Sequence, residues 1–291
     1  MSGWLPVAPC TTRACVSGPS ESAGLPRRVS RLLGAVAVVL AGLPWALVAR
    51  RLGGAHGTVL ATVWSRAFLR ALGVRVEVRQ GFTVLGGSAV SPAAPQEPGG
   101  AGVLLVANHV SWLDPLVVAA AMPCRALAKS EIARWPVIRS LVVGSGAIFI
   151  DRERLSTLPG TVRAVADALR AGHSVVAFPE GTTWCGRGGG PFRPAVFQAA
   201  IDARAAVRPI ALRFRDRNGR LATGPSFVGD DTLLASLARV VSARGLVVEV
   251  TVFPVLAHPR AGEVTRRALA DIARATVSGE RPRRNHVPAA A

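Results

Sequence analysis

Tyrosine is absent from this 291-residue chain, and aromatic residues of all kinds make up only 5% of it. A surface built to stack nucleic-acid bases is therefore poorly supplied. Lysine is nearly absent too: Lys129 stands alone among 35 basic residues. It follows Ala128, so no Walker A phosphate loop can form. No GxSxG occurs, which removes the usual serine-hydrolase elbow. Gly144-Ser145-Gly146 runs into Phe149 and breaks a dinucleotide GxGxxG, and HExxH is missing. The four cysteines, at 10, 15, 124 and 185, include no CxxC pair and no Cys/His cluster of zinc spacing, so no metal is expected. Four separated cysteines in a chain this long read as free thiols in a reducing compartment.

What is present is positive charge and apolar surface. The formal net charge is +18, half the residues are hydrophobic, and the mean hydropathy is +0.36. That combination suits a chain lying on anionic lipid better than one bound to nucleic acid. Residues 1–26, rich in Ser, Pro, Gly and Thr, show no period and read as a flexible leader. Its removal is expected to change neither localisation nor activity. Arg27, Arg28 and Arg31 then precede an uncharged run, Leu32 to Ala49, closed by Arg50 and Arg51. Such a run makes about 27 Å of helix, just short of a hydrocarbon core. It reads as a membrane anchor, spanning or re-entrant, although Gly34, Gly42 and Pro44 weaken it as a straight helix. In residues 57–72, Leu60, Val63, Trp64, Ala67, Phe68 and Ala71 share one helical face, with Arg66 and Arg70 off it. This is either an interfacial helix or a packing helix of the following domain.

From Val74 the period changes. Val74, Val76 and Val78 alternate with charged residues as in a half-exposed strand, and Val103–Ala107 is a buried one. Further strands are predicted at 126–128, 147–150, 174–178, 207–214 and 246–253. Helices are predicted at 130–143, 157–171, 194–203, 231–243 and 260–276, and residues 86–101 read as loop. Alternating strands and helices argue an α/β architecture. The chain divides into a leader (1–28), membrane-associated helices (29–72), a catalytic-size domain (73–278) and a basic, disordered tail (279–291).

Three motifs sit at strand ends, where open α/β sheets bind ligands. Asn108-His109-Val110-Ser111-Trp112-Leu113-Asp114 follows the buried strand. His109 there can act as a general base, and Asp114 can reach back across a turn to fix its tautomer. Alone, the pair reads equally well as a satisfied histidine with a capping aspartate. Gly146–Arg152 ends a second strand in Asp151-Arg152, where the guanidinium suits a phosphate. Phe178-Pro179-Glu180-Gly181-Thr182-Thr183 follows a third. Its Glu180 and Thr182 offer polar groups beside a glycine that allows a tight turn, though a plain Glu-Gly turn reads the same. Val207-Arg208-Pro209-Ile210 opens a later strand.

Taken in order, NHxxxxD, GxxFIDR, FPEGTT and VxPI resemble the four motifs of the glycerolipid acyltransferase family, over about residues 60 to 257. The resemblance implies a central sheet flanked by helices, to which the apolar run outside it adds an N-terminal membrane-associated helical segment. It implies transfer of a fatty acyl group from acyl-CoA or acyl carrier protein to the sn-2 hydroxyl of 1-acyl-sn-glycerol-3-phosphate, making phosphatidate. The thioester is a co-substrate, and no cofactor is implied. Carried over residue by residue, His109 is the base and Asp114 its orienter. Lys129, Arg152, Glu180, Gly181 and Thr182 bind substrate. The expected partners are membrane lipid, the lysophospholipid acceptor and the acyl donor, with no nucleic acid. The expected location is the cytoplasmic face of the cell membrane. The segment after FPEGTT departs from the family pattern, reading Trp184-Cys185-Gly186-Arg187, which bears on the head group. The alternatives are another lysolipid acceptor such as lyso-ornithine lipid, glycerol phosphate itself, or a non-catalytic basic membrane binder.

Overall fold

The structure, a computed structural model, describes residues 6–52, 54–85, 88–90, 101–151, 154–256 and 264–279. A short helix α1 (Thr12–Cys15) is followed by two long ones, α2 (Leu25–Leu52) and α3 (Gly54–Ala71). Strand β1 (Val74–Gln80) leads to a small antiparallel pair, β2 (Thr83–Leu85) and β3 (Ser88–Val90), of which β3 falls within the stretch expected to be loop. Next come β4 (Leu104–Ala107), α4 (Asp114–Ala121), β5 (Arg125–Lys129), α5 (Pro136–Gly144), β6 (Ile148–Ile150) and α6 (Leu158–Arg170). The chain continues through β7 (Val175–Ala177), α7 (Ala195–Ala203), β8 (Val207–Arg215), α8 (Leu233–Ser242), β9 (Leu246–Val252) and α9 (Arg266–Ser278). The helix expected over 130–143 breaks at Pro136 into a 3₁₀ turn, Ser130–Arg134, and α5. A proline has no N–H to give and is accommodated at a helix start.

The seven-stranded sheet runs β1-β9-β8-β4-β7-β5-β6. Strands β4, β5, β6, β7 and β8 are parallel, and β9 runs antiparallel to β8. The carboxyl ends of β4, β7, β5 and β6 therefore share one edge. Alternation along β4 sends its side chains to opposite faces. Leu105 and Ala107 pack with Leu69, Leu113, Val117 and Val240 on one side. Leu104 and Val106 pack with Leu169, Phe197, Leu269 and Ala273 on the other. A sheet buried on both faces accounts for the unbroken apolar run of β4.

The leader is not the loose segment its composition suggests. Cys10 and Ala23 are buried. The Ser17 N–H donates to Thr223 Oγ1 at 3.0 Å, and the Ala23 N–H to the Ser242 carbonyl at 2.7 Å. Glu21 pairs with Arg217 at 2.8 Å. Low hydrophobicity hid this docking because backbone groups and a few small side chains carry it. Residues 280–291, expected to be a disordered tail, lie outside the described residues.

Helix α2 begins at Leu25, earlier than the apolar run, and is about 42 Å long at 1.5 Å per residue. Residues Leu25–Val48 are long and apolar enough to cross a membrane. Yet α2 is attached to the domain along its length. Arg31 donates to the Val241 and Ala243 carbonyls at the end of α8, and Trp64 Nε1 of α3 donates to the Val38 carbonyl at 2.9 Å. At Gly42 a Cβ would come within 2.3 Å of Trp64 Nε1 and 2.9 Å of Leu141, so glycine lets α2 approach α3 and α5 closely. The outward face keeps Leu33, Val36, Leu40 and Leu47 exposed, with Val59 and Val63 of α3 exposed as well.

Candidate active site

The site begins where β4 ends. Asn108 closes the strand by a two-way bond to β8: its Nδ2 donates to the Leu212 carbonyl at 3.0 Å, and its Oδ1 accepts from the Leu212 N–H at 2.8 Å. That fixes the chain direction one residue before His109. The turn 110–113 then returns the chain into α4, whose first residue is Asp114, with proline next. An anion at a helix amino end is favoured by the backbone dipoles.

Asp114 is fully buried, and one of its oxygens organises the turn. Oδ2 accepts from the N–H groups of Val110 and Ser111 at 2.5 and 2.8 Å and lies 2.8 Å from His109 Nδ1. A carboxylate at that distance assigns the proton to Nδ1, which leaves the lone pair on Nε2. The imidazole stacks on Phe178 at the end of β7, centroids 4.4 Å apart. Its side chain is 14% exposed. The ring is thus held by a carboxylate at one nitrogen and an aromatic face beneath.

Glu180 is placed differently from a substrate-facing acid. It is 3% exposed, and its oxygens accept from the N–H of His109 at 2.6 Å and of Gly190 at 3.0 Å. Burial pushes its carboxyl up to about 7, against the pull of those two donors. Glu180 therefore ties the backbone of the first motif to the loop after the third. The Trp184 N–H adds a second tie, donating to the His109 carbonyl at 2.7 Å. Sequence reasoning missed this role because a Glu-Gly turn does not say which way the side chain faces.

Gly181 has φ +73, and a Cβ there would come within 2.6 Å of Pro6 Cγ in the leader. Thr182 is half-buried beside it. Lys129 is exposed at the carboxyl end of β5, paired in register with Ile150 of β6. Asp151 follows on the same edge and pairs with Arg154 at 3.7 Å. Arg152 lies outside the described residues. The sheet therefore gathers His109, Glu180, Gly181, Lys129 and the end of β6 along one edge, from segments up to 72 residues apart.

A family model described as Acyltransferase matches residues 87–213, which contain all of these residues. The chain is 35% identical over 215 residues to a lyso-ornithine lipid O-acyltransferase of Pseudomonas aeruginosa, covering 73% of this chain and 77% of that protein. The chain belongs to the glycerolipid acyltransferase family. A 1-acyl-sn-glycerol-3-phosphate acyltransferase of Neisseria gonorrhoeae is 41% identical over 164 residues, or 56% of this chain. The match spans 63% of the length of that relative. In fold, this acyltransferase chain is similar to a crystal structure of the 1-acyl-sn-glycerophosphate acyltransferase of Thermotoga maritima. The TM-score is 0.62 at 15% identity, over 88% of this chain and 93% of the other.

Proposed function

We propose that this protein transfers a fatty acyl group from acyl-CoA or acyl carrier protein to the sn-2 hydroxyl of 1-acyl-sn-glycerol-3-phosphate, yielding phosphatidate. The observation that carries the reading is the His109–Asp114 pair, held at 2.8 Å at the end of a central parallel strand. In the proposed reaction, the acceptor hydroxyl gives its proton to Nε2 of His109 as its oxygen attacks the thioester carbonyl carbon. Asp114 stabilises the imidazolium that forms. The tetrahedral intermediate collapses, the carbon–sulfur bond breaks, and the departing thiolate takes the proton from Nε2. General-base help of this kind is worth on the order of 10²–10⁴-fold. The thioester is already activated, so no covalent enzyme intermediate is needed.

Lys129, at the end of β5, supplies a cation for the acceptor phosphate, and Arg152, two residues beyond β6 in sequence, is assigned to the same phosphate. Gly181 and Thr182 form the near wall, and Glu180 positions the His109 backbone. The exposed apolar residues of α2 and α3 support a seat in the membrane, because apolar surface is costly in water; the cytoplasmic face is the side on which the acyl thioesters are supplied. Attachment of α2 to α3, α5 and α8 along its length favours an in-plane or re-entrant seat over a free-standing span.

A second acceptor is favoured by one observation. The lyso-ornithine lipid relative aligns over 73% of this chain against 56% for the gonococcal one, though at lower identity. Purified protein assayed with acyl-CoA and acyl carrier protein against lysophosphatidate, lyso-ornithine lipid and glycerol 3-phosphate separates the readings. Highest kcat/KM with lysophosphatidate is the expected result. Preference for lyso-ornithine lipid overturns the head group but keeps the reaction, and no transfer to any acceptor overturns both.

A further inference from the structure

Three of the four cysteines meet in space. Cys10 and Cys15 come from the leader, and Cys185 comes from the loop that follows FPEGTT. Their sulfur atoms all lie within 4.8 Å of one another. Cys10 and Cys185 are buried, and Cys15 is half-buried. Val228, Ala8, Val16 and Trp184 pack around them as an apolar shell.

We propose that Cys10, Cys15 and Cys185 bind a thiophilic metal ion of the zinc class through three thiolates, with a fourth position open to water. Tetrahedral Zn–S bonds of about 2.3 Å put the sulfurs about 3.8 Å apart, so sulfurs within 4.8 Å of one another need to close by at most about 1 Å on the ion. A disulfide uses two sulfurs and leaves the third idle, whereas a metal accounts for all three. The ligand set is right for a soft ion, since thiolates select zinc or copper(I) over hard cations. Cys10 and Cys15 are separated by four residues, a gap a zinc chelate can bridge, but their third ligand, Cys185, is remote in sequence, so the sequence alone shows no zinc pattern. On binding, three thiols lose their protons, and the zinc–thiolate centre carries one net negative charge. Arg187, close enough to act electrostatically on Cys15, offsets it. The dry surroundings strengthen the metal–thiolate attraction.

The ion would staple the leader to the loop that carries Gly190, the residue whose N–H holds Glu180. It would also keep Pro6 in place over Gly181. No thiol of the cluster takes part in the His109 chemistry, and the proposal does not depend on the acyl-transfer reading.

The test is metal analysis of the full chain, purified in detergent with a reductant and without chelator. About one zinc ion per chain is expected, matching a single three-thiolate site. Cys15→Ser, at the half-buried position, should lower that content to background, while Cys124→Ser should retain it. Chelator-stripped wild-type protein reloaded with cobalt(II) should show a thiolate-to-cobalt charge-transfer band, weakened in Cys15→Ser. Chelation should also speed tryptic cleavage at Arg13. The Cys15 variant and the reloading experiment keep the test valid if Cys10→Ser or Cys185→Ser fails to fold. Three results overturn the proposal: no uptake of zinc or cobalt by the reduced wild type, uptake unchanged in Cys15→Ser, or a disulfide between any two of the three in protein isolated under reducing conditions.

Discussion

Asp114→Asn separates a carboxylate that merely orients a base from one that also holds the site together. In the wild type, Oδ2 takes three donors, from Val110, Ser111 and His109, while Oδ1 is buried without a hydrogen-bond partner among the described residues. In the variant the amide oxygen must occupy the Oδ2 position, because an amino group there would face three donors. The amino group then falls at the Oδ1 position, and a buried donor without an acceptor costs about 1–3 kcal/mol. The three accepted bonds change from charge-assisted to neutral, which costs about 1 kcal/mol each. The sum, about 4–6 kcal/mol, corresponds to a Tm lower by roughly 10–20 °C for a domain of this size. His109→Ala behaves differently, because it removes a partly exposed ring stacked on Phe178 and leaves both backbone bonds to Asp114 in place. It should unfold within a few degrees of the wild type, roughly as other modest truncations do. Both variants should lose acyl transfer, by on the order of 10²–10⁴-fold. Thermal unfolding followed by near-UV circular dichroism, with the lysophosphatidate assay alongside, reads both effects. An Asp114→Asn protein with wild-type Tm would refute the carboxylate's structural role, and a folded His109→Ala protein with normal turnover would refute the base.

Four more outcomes follow from the same geometry. The folded Glu180 carboxyl, near 7 against an ordinary 4.5, holds a proton that the unfolded chain has already released. Stability should therefore fall as pH rises from about 4.5 to 7 and level off above, and Glu180→Gln should flatten that slope in chemical-denaturation curves; an unchanged slope counts against the assignment. A variant with Val36, Leu40 and Leu47 all replaced by Glu should fold but leave the membrane fraction, since each exposed side chain contributes about 1.5–3 kcal/mol of burial in lipid. The wild type should stay bound through a high-salt wash, because salt screens charge and not apolar insertion; release by salt alone assigns the attachment to the arginines. Deleting residues 1–24 should lower Tm by several degrees, as it removes buried Cys10 and Ala23 and the Glu21–Arg217 pair; an unchanged Tm means the leader docks without stabilising the domain.

Much of this molecule was determined by the chain alone. Apolar alternation in Val74–Val78 and the unbroken run to Ala107 set β1 and β4, because strand periodicity reports which faces are buried. Gly172, with φ +82, stops α6 as its position just past the helix predicts. The five-residue spacing of His109 and Asp114 is local, so a strand-turn-helix segment brings the two together without help from the rest of the fold. Residues far apart in sequence were settled only by the tertiary structure. Glu180 reads as a surface turn until the sheet order sets β7 beside β4 and turns its carboxylate onto the His109 N–H. The apolar run of α2 reads as a free anchor until Gly42 lets Trp64 and Leu141 pack against it. Cys185 lies 170 residues beyond Cys15, and no spacing rule joins them. Their meeting depends on a polar leader whose docking rests on backbone hydrogen bonds and close fit, which composition does not record.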